Sequence, residues 1–561
     1  MKIINKYRIY ILFIILFIIS EILIVQNINT EKKATLYLLF IVSLVLSTFK
    51  FVEKKQYKIL NDTYNFSNVL TFISLIPVVL ITQNFDLNFE QITWDTASYL
   101  VASQEVGLGY IPFETSWESK GPLLFYIYYL LDVISFKSYI YFRLVNDFII
   151  VIISFLIIKI IQLKNNNYFI SYASGLMFVV LTSKEWYVSE FTEIYCIAVL
   201  SFAIYLKEKD GFSKLNMIAI LLSLNSLINQ GSILFILPFL WWVFSDSIKQ
   251  KNYKNIKNFL IFLSLPQVFT MAVYSYKNLL DLYLANYITI PLSYSGDSLS
   301  SIYELRVWIR EFYNFNFLIY ASIFLIFLVY ILENLKNIPK VFGNFYVQSI
   351  AIAVGYYFAG SHNFYHHLFY VLFFICFFIS KMESNFHKFL VVIIVFISTS
   401  FTFSTFFNKS FSNLSNLNNL QQNYPLYQLS NKIDSYFENG DYTILAIDYV
   451  LVLHYLEKQN YAYIVHPTNH FEDYIENTLI SLGYIKSNNI EKLINEEPDV
   501  ILCNDTLIIR GEQQNIVDFN CNIDEYKQNY IKLDTEIYNN NLNRDRYRDD
   551  SKIMNVFIKN S

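Results

Sequence analysis

The sequence is poor in charged residues, glycine, proline and cysteine. Only 16% of its 561 residues are Asp, Glu, Lys or Arg, whereas a soluble domain usually carries about a quarter. Apolar and aromatic residues, at 55% and 19% of the chain, fill this deficit in numbers that an aqueous globule could not bury. The composition therefore excludes an ordinary cytosolic enzyme and a disordered protein. It favours an integral membrane protein with room for one soluble domain.

The scarce cysteines and the small net charge exclude further classes of site. Cys196, Cys376, Cys503 and Cys521 lie far apart without a CxxC spacing, so we expect neither a zinc knuckle nor a dense disulfide framework. Cys503 and Cys521 could pair in an oxidising compartment, but their spacing alone does not show that they do. A formal net charge of −4 is too small to indicate a nucleic-acid partner. The 13 glycines and 10 prolines beside abundant Ile, Asn, Lys and Tyr indicate an AT-rich, bacterial genome.

Apolar runs long enough to cross about 30 Å of hydrocarbon recur up to residue 406 and then stop. They predict thirteen membrane spans, at 8–26, 34–52, 66–82, 139–162, 168–183, 193–206, 216–230, 232–245, 258–275, 314–332, 345–360, 366–380 and 388–406. A further apolar stretch, 122–136, is rich in tyrosine, and we interpret it as a helix in the membrane interface. Most lysines of the span-connecting loops then fall on the cytoplasmic side. The chain is thus predicted to lie in the plasma (inner) membrane, with a cytoplasmic N-terminus, and to be extracytoplasmic at 83–121 and after 406.

The predicted fold is an all-α polytopic membrane domain, 1–406, followed by a linker, 407–425, and a small extracytoplasmic α/β domain, 426–561. In that last domain, short apolar runs alternate with helical segments. The runs predict strands at 442–447, 461–465, 498–503 and 553–558, with helices at 449–458 and 486–496. We expect a largely parallel sheet. No Gly-rich phosphate loop follows these strands, so nucleotide binding is not expected there.

The first outer loop, within 83–138, groups residues suited to chemistry. Asp95 lies just beyond a membrane span, where burial and a low dielectric can tune its pKa. Two glycines and a proline then fold the chain back, and Glu118 and Lys120 precede the interfacial helix. A lysine at the lipid headgroup level suits a phosphate, and Asp95 could accept a proton from an incoming hydroxyl. Each residue taken singly is more often a solvated anchor. Their grouping in one loop favours a site.

This loop resembles that of the GT-C superfamily of polytopic glycosyltransferases. The pattern D-x-x-x-Y, then G-x-x-P-F, then E-x-K-G-P-L begins at Asp95 and Tyr99 and enters the aromatic helix. It is more closely similar to the bacterial branch related to protein O-mannosyltransferases and lipid A aminoarabinose transferases. The resemblance is good over residues 90–145 and diffuse to about 380.

The resemblance implies a polyprenyl-phosphate sugar donor and an inverting transfer outside the cytoplasm. By it, Asp95 is the catalytic acid–base residue and Lys120 contacts the donor phosphate. We expect Tyr99 and Glu118 to bind substrate. Close relatives often have K-P-P where this chain has Lys120-Gly121-Pro122. This difference leaves the assignment of Lys120 intact, but the local backbone need not match that of the relatives.

Ionisable residues at later spans complete the candidate site. Arg143 and Asp147 share a helical face, and both an internal ion pair and a donor-phosphate role remain open for Arg143. Glu193 is our candidate for a sugar contact, the alternative being a carboxylate that the helix dipole stabilises. His366, in the segment 360–367, is a candidate for donor-phosphate binding.

The spacing of the same segment does not support a metal. Its three histidines stand at i, i+4 and i+5 without an adjoining acid, which is not a recognised zinc spacing. We therefore assign no metal ligand and no cofactor. Arg306 and Arg310 lie in an outer segment where a solvated amphipathic helix is preferred to a phosphate site.

Residues and resemblance together predict an inverting glycosyltransferase that acts on an extracytoplasmic acceptor. The acceptor could be a cell-surface glycan, lipopolysaccharide or protein. The alternatives are a flippase of a lipid-linked glycan and a glycan polymerase. A transporter usually shows internal repeats and ionisable residues near the bilayer midplane. This chain has no evident two-fold repeat, and its charged groups cluster at outer span ends.

Overall fold

A computed structural model gives the fold of the chain. It describes residues 68–560 apart from 91–92, 166, 184–189, 294–342, 360–364, 382–384, 438–439, 505–506, 509–515, 518–528 and 542–553. The predicted spans 8–26, 34–52 and 314–332, with Arg306 and Arg310, lie outside the described residues. The count of thirteen spans therefore stays a prediction.

The described part of the membrane domain is helical. Its helices are α1 (Asn68–Gln83), α2 (Trp94–Gly107), α3 (Pro122–Ile134), α4 (Tyr139–Lys164), α5 (Tyr168–Leu181), α6 (Thr192–Asp210), α7 (Leu215–Ile228), α8 (Ile236–Lys249), α9 (Tyr253–Tyr276), α10 (Leu280–Leu284), α11 (Ile290–Ser293), α12 (Phe345–Ala359), α13 (Phe369–Ile375) and α14 (Asn385–Leu414). Among the described residues, five helical stretches are long and apolar enough to cross a membrane: Tyr139–Lys164, Thr192–Ile228, Gln230–Lys249, Tyr253–Tyr276 and Val391–Leu414. The chain is a multi-pass membrane protein.

Helix α3 has the length of an interfacial helix. Its 13 residues span about 20 Å at about 1.5 Å per residue, which is too short to cross a bilayer. The helix begins with Pro122 at its first position, where a proline has no backbone hydrogen bond to lose. Helix α5, which lies in a predicted span, has only 14 residues, so length does not distinguish the two cases and the interfacial interpretation of 122–136 stays a prediction.

Close helix contacts build the membrane core. Helix α4 packs against α1, α5 and α6, and α7 packs against α6 and α9. Gly175 of α5 lies so near α4 that a Cβ there would be 2.6 Å from Ile158 Cγ1. Such small-residue contacts allow helices to approach closely where lipid supplies no hydrophobic driving force.

The C-terminal domain contains a four-stranded sheet flanked by short helices. The helices are α15 (Leu417–Gln422), α16 (Pro425–Asp434), α17 (Leu451–Tyr455), α18 (Asp473–Ser481), α19 (Asn489–Asn495) and α20 (Glu536–Asn541). The strands are β1 (Ile444–Ala446), β2 (Val500–Asn504), β3 (Leu507–Ile508), β4 (Ile516–Val517), β5 (Tyr530–Lys532) and β6 (Met554–Lys559). The strands predicted at 442–447, 498–503 and 553–558 are confirmed as β1, β2 and β6.

The prediction of a largely parallel sheet was wrong. The order is β1-β2-β6-β5, and only β1 and β2 run parallel, with Ile444 opposite Val500. Strand β6 lies between β2 and β5 and is antiparallel to both. The helical crossover between β1 and β2 enforces a parallel pair, but the last strand returns in the opposite direction. Cys503 of β2 is disulfide-bonded, and Cys521 lies outside the described residues.

Two other segments differ from their predicted structure. The predicted linker, 407–425, is largely helical, because α14 continues to Leu414 and α15 follows it. The predicted strand 461–465 does not join the sheet. It pairs instead with the first outer loop, where Trp117 N–H donates to the carbonyl of Tyr463 at 2.6 Å and Val465 N–H donates to that of Trp117 at 3.1 Å. At the start of this segment, Tyr461 N–H donates to the carbonyl of Ile444 in β1 at 2.8 Å, so the segment connects the sheet to the membrane domain.

Side chains at the same junction fix the C-terminal domain on the membrane domain. Trp94 Nε1–H donates to Asp448 Oδ1 at 2.8 Å. The buried carboxyl group of Glu90 accepts from Tyr455 OH at 2.8 Å and from Leu426 N–H at 2.7 Å. Because these are buried polar contacts, separating the domains would leave their partners unsatisfied.

Protonation of Glu90 should control the stability of this junction. Burial raises the pKa of its carboxyl group from 4.5 to about 7, despite the hydrogen bonds from Leu426 and Tyr455. The folded state therefore retains a proton that the unfolded chain loses, and stability falls as pH rises from 4.5 to about 7. The expected loss is at most about 3 kcal/mol. Glu90→Gln should flatten this part of the curve of melting temperature against pH, measured in detergent.

The matched control is Glu536→Gln, which changes an exposed glutamate of α20. Its curve of melting temperature against pH should follow that of the unmodified protein. Parallel curves for Glu90→Gln and the unmodified protein would show that Glu90 is not the titrating group.

Candidate active site

Helix α2 places Asp95 and Tyr99 together. Asp95 lies in the first turn of the helix, where the helix dipole favours a carboxylate. Tyr99 lies one turn further on the same face, and its hydroxyl donates to Asp95 Oδ1 at 3.4 Å. Tyr99 is buried, whereas the Asp95 side chain keeps 22% of its surface exposed. The carboxylate is therefore partly open to solvent, whereas the tyrosine beside it is not.

The carboxylate of Glu105 holds the loop that returns from α2. It accepts from the backbone N–H groups of Phe113 and Thr115, both at 2.9 Å. Phe113 has a φ of 75°, so the chain turns sharply here. This anchored turn brings Glu118 and Lys120 back beside α2. Sequence analysis did not select Glu105, because an acid that bonds the backbone of a loop has no distinguishing spacing.

Lys120 joins the cluster from the end of this loop. Its Nζ lies 5.8 Å from the centroid of the Tyr99 ring, and its charge acts on both Asp95 and Glu193. The backbone of Lys120 is fixed as well, since its carbonyl accepts from Asn286 Nδ2 at 2.8 Å. The ammonium group therefore lies near the carboxyl groups of Asp95 and Glu193, and its contact with a donor phosphate stays a prediction.

Gly121 is required by the close approach of this loop to the end of α7. Its N–H donates to the carbonyl of Ile228 at 3.2 Å. A Cβ at this position would lie 2.1 Å from the carbonyl oxygen of Leu227. The departure from K-P-P therefore has a structural reason, because a proline would lack the N–H and collide with the helix end.

The C-terminal domain contributes a histidine that sequence analysis missed. His466 Nε2 lies 3.2 Å from Asp95 Oδ1, and Thr468 Oγ1 lies 3.0 Å from His466 Nδ1. Since a carboxylate only accepts hydrogen bonds, Nε2 carries the hydrogen. The one sequence signal was the H-P-T-N-H run at 466–470 in an exported domain. It points to a site only once the pairing of 463–465 with Trp117 is known.

The surroundings of Asp95 keep it ionised. Burial by itself raises the pKa of this carboxyl group, but the hydrogen bond and charge of His466, with the charges of His366 and Lys120, outweigh it. The pKa of Asp95 therefore lies well below its usual range. A base in this state is always available to accept a proton.

Glu118 offers an unused acceptor inside the site. Its Oε1 accepts from Ser119 N–H at 2.8 Å, whereas Oε2 has no hydrogen-bond partner among the described residues. Burial raises the pKa of this carboxyl group. Buried polar atoms are normally satisfied, so Oε2 is suited to a substrate hydroxyl.

Glu193 and His366 belong to the same cluster. Glu193, in the first turn of α6, accepts from Thr192 Oγ1 at 3.0 Å and from Asn229 Nδ2 at 3.2 Å. His366 stacks on Phe191 with ring centroids 4.5 Å apart, and its charge acts on Asp95. Helix α6 and the turn before α13 thus bring together two residues that are far apart in the sequence.

Arg143 occupies a second layer behind this cluster. Its guanidinium donates to Asp86 Oδ1 at 3.0 Å and lies 3.7 Å from Glu190 Oε1. Asp147, one turn further along α4, accepts from Asn84 Nδ2 at 2.5 Å. These contacts give Arg143 a structural role, and its donor-phosphate role stays a prediction.

The structure therefore brings together six of the seven predicted site residues: Asp95, Tyr99, Glu118, Lys120, Glu193 and His366. It adds three that were not predicted: Glu105, His466 and Thr468. The first outer loop supplies most of these side chains, and the C-terminal domain adds His466 and Thr468.

The described structure combines a multi-span helical domain with an outer-loop carboxylate that lies beneath a docked sheet. The crystal structure of ArnT from Cupriavidus metallidurans, bound to undecaprenyl phosphate, has a similar fold, with a TM-score of 0.51 and 10% sequence identity. The likeness covers 79% of this chain and 96% of that chain. At this identity the likeness shows the fold alone, which is ArnT-like, as the resemblance to lipid A aminoarabinose transferases predicted. No family model and no curated protein matches the sequence.

A methyl group at Gly121 should disturb the site more than one at an unconstrained glycine. Gly121→Ala forces a backbone carbonyl to move, and we expect a loss of about 1–3 kcal/mol in stability. The control is Gly355→Ala in α12, where nothing lies within 4 Å of the added atom and alanine favours the helix. Thermal unfolding in detergent should separate the two variants. Equal melting temperatures would show that the loop can move away from α7.

Proposed function

We propose that the protein is an inverting glycosyltransferase of the plasma membrane. It moves a sugar from a polyprenyl-phosphate donor to an extracytoplasmic glycan, lipopolysaccharide or protein. The observation that carries this proposal is an ionised, accessible Asp95 beside the ammonium of Lys120. The fold supports it, since the similar ArnT structure was solved with undecaprenyl phosphate bound.

The chemistry is a single displacement at the anomeric carbon. The acceptor hydroxyl oxygen forms a bond to this carbon while the bond to the donor phosphate oxygen breaks on the opposite face, so the configuration inverts. The hydroxyl proton passes to Asp95. A carboxylate of low pKa is a weak base, so the proton moves late, when the forming bond has made the hydroxyl acidic.

The other residues stabilise the charges of this reaction. The sugar leaves behind polyprenyl phosphate, and Lys120 is suited to neutralise the charge that develops on its oxygen. Glu118 Oε2 is available to accept a hydrogen bond from a sugar hydroxyl. Tyr99 and His466 both donate to Asp95 and keep its carboxylate directed at the acceptor.

The flippase and the polymerase are the remaining alternatives. A flippase carries its ionisable groups near the bilayer midplane. Asp95 instead contacts His466 of the C-terminal domain, which supports chemistry at the membrane surface. Purified protein in detergent, with no second compartment, would transfer sugar from a lipid monophosphate donor only under the glycosyltransferase proposal. A polymerase would need a lipid-diphosphate oligosaccharide instead.

Asp95→Asn should abolish the glycan product. It removes the proton acceptor, whose contribution is typically about 10²–10⁴-fold in rate. The measurement is mass analysis of surface glycans from cells that carry either variant in place of the unmodified gene. Asp441→Asn, an exposed change in the C-terminal domain, should leave the product unchanged. A normal product from Asp95→Asn at normal protein level would end the proposal.

His466→Gln should move the pH dependence of the reaction. Removing the hydrogen bond and charge of His466 raises the pKa of Asp95 toward its usual range. Because the ionised form is the active one, the acid limb of kcat/KM should shift to higher pH. The control is His454→Gln, another buried histidine of the same domain. A uniform loss of rate with an unmoved acid limb would show that His466 only supports the fold.

A further inference from the structure

Three lysines meet at the end of the membrane domain that lies away from the reaction centre. Helix α4 carries Arg143 in its second turn and ends at Lys164, and α6 carries Glu193 in its first turn and Lys207 in its last. The 26 residues of α4 span about 39 Å at about 1.5 Å per residue, which is enough to cross a bilayer. Lys381 joins the other two lysines from the short turn that follows α13. The lysines therefore lie at the opposite membrane surface.

The three lysines surround one carboxylate. Lys164 Nζ lies 2.5 Å from Glu208 Oε2, and Lys207 Nζ lies 3.1 Å from Glu208 Oε1. The hydroxyl of Tyr346 donates to the same Oε1 at 3.1 Å. The charges of Lys164, Lys207 and Glu208 all act on Lys381. Three ammonium groups thus share the negative charge of a single glutamate.

Aromatic rings line this lysine cluster. Lys207 Nζ lies 4.3 Å from the centroid of the Phe345 ring. The Nζ atoms of Lys164 and Lys381 lie 5.6 and 5.1 Å from the centroid of the Tyr346 ring. Ring faces attract cations, but the rings are neutral and do not balance the charge. Tyrosine is enriched at the level of the lipid headgroups, so the surroundings fit that depth.

The excess positive charge is open on one side. The side chain of Lys164 is 41% exposed, whereas those of Lys207 and Glu208 are 9% and 7% exposed. A further acid whose charge reaches Lys207 is Asp246, which itself lies 3.7 Å from Lys249. Burying ammonium groups without sufficient counter-charge is costly. The cluster would therefore gain from an anion that enters beside Lys164.

We propose that Lys164, Lys207 and Lys381 bind the phosphate group of an anionic glycerophospholipid. The phosphate accepts hydrogen bonds from the ammonium groups, while the acyl chains extend along the apolar helices toward the centre of the bilayer. Lipid phosphates are the anions that a membrane offers at this depth, and basic pockets between spans on the cytoplasmic side bind such headgroups. The cluster lies on that side in the predicted topology. This site goes beyond the proposed sugar transfer and does not depend on it.

A lipid bound here would join the helices that also carry the reaction centre. Helices α4 and α6 and the segment His366–Lys381 each bring a lysine to the cluster, and their other ends carry Arg143, Glu193 and His366. A ligand that binds only the folded state stabilises it by mass action. Phosphatidylglycerol should therefore raise the melting temperature of the protein in detergent, whereas phosphatidylcholine at the same concentration should not.

Lipid affinity is measured on the full-length protein in detergent, by native mass spectrometry during a titration with phosphatidylglycerol. Lys164→Gln and Lys381→Gln should each weaken binding about fivefold, the effect of one lysine near an anionic lipid surface. Lys381→Arg should bind almost as the unmodified protein does, because it keeps the charge. The matched control is Lys254→Gln, an exposed lysine in the first turn of α9 on the same predicted membrane side, which should leave the affinity unchanged.

Cross-linking of the unmodified chain avoids any dependence on folding of the variants. A phosphatidylglycerol analogue with a photoreactive headgroup, in nanodiscs, should label peptides that contain positions 164, 207 or 381. Equal affinity for phosphatidylglycerol and phosphatidylcholine, an equal loss in Lys254→Gln and Lys381→Gln, or cross-links confined to other segments would overturn the site.

Two further compounds identify the source of the phosphate. Inorganic phosphate in large excess should not displace phosphatidylglycerol, because it lacks acyl chains. Undecaprenyl phosphate should bind Lys381→Gln as tightly as the unmodified protein, since its proposed site lies at the other membrane surface. Displacement by inorganic phosphate would indicate a site for a soluble anion, and weaker binding of undecaprenyl phosphate to Lys381→Gln would assign the cluster to the carrier lipid. Either result would overturn the glycerophospholipid site and leave the proposed glycosyltransferase untouched.

Discussion

The contact between Asp95 and His466 depends on the joining of two domains. A partly exposed carboxylate at the start of α2 needs a positive or hydrogen-bonding partner, and the C-terminal domain supplies it at 3.2 Å. The backbone pairing of Trp117 with 463–465 fixes the segment that carries this histidine. The C-terminal domain is thus part of the site and not an appendage. A chain without that pairing would leave the carboxylate without the partner that holds its pKa low.

The first outer loop must also be fixed in place, because it has to bring Lys120 close to Asp95. Lys120 can meet Asp95 only if the chain turns back within a few residues. Glu105 enforces that turn by accepting from backbone N–H groups of the loop, and Gly121 lets the loop touch the end of α7. Arg143 fixes acids of other segments behind this layer. Precise placement of a few charges therefore rests on buried polar contacts that do not themselves touch the site.

The likeness to ArnT shows how little sequence identity this fold requires. At 10% identity the fold is still similar over most of both chains, because apolar spans of adequate length satisfy the membrane with many different side chains. The resemblance in sequence is good over 90–145, which holds the loop motif, and diffuse to about 380.

Composition and hydropathy alone determined that this is a membrane protein. Local patterns determined helices such as α4 and strands such as β2, because burial in lipid or in a sheet core requires runs of apolar residues. The reactive loop was also recognisable, since Asp95, Tyr99, Glu118 and Lys120 lie within one short segment. The relative direction of the strands could not be recognised from the sequence, because β6 pairs with strands that lie elsewhere in the chain. Only the tertiary structure brought His466 to Asp95, and Glu193 to His366 and His367. Contacts between distant segments arise from packing, and they leave no spacing that a single sequence can display.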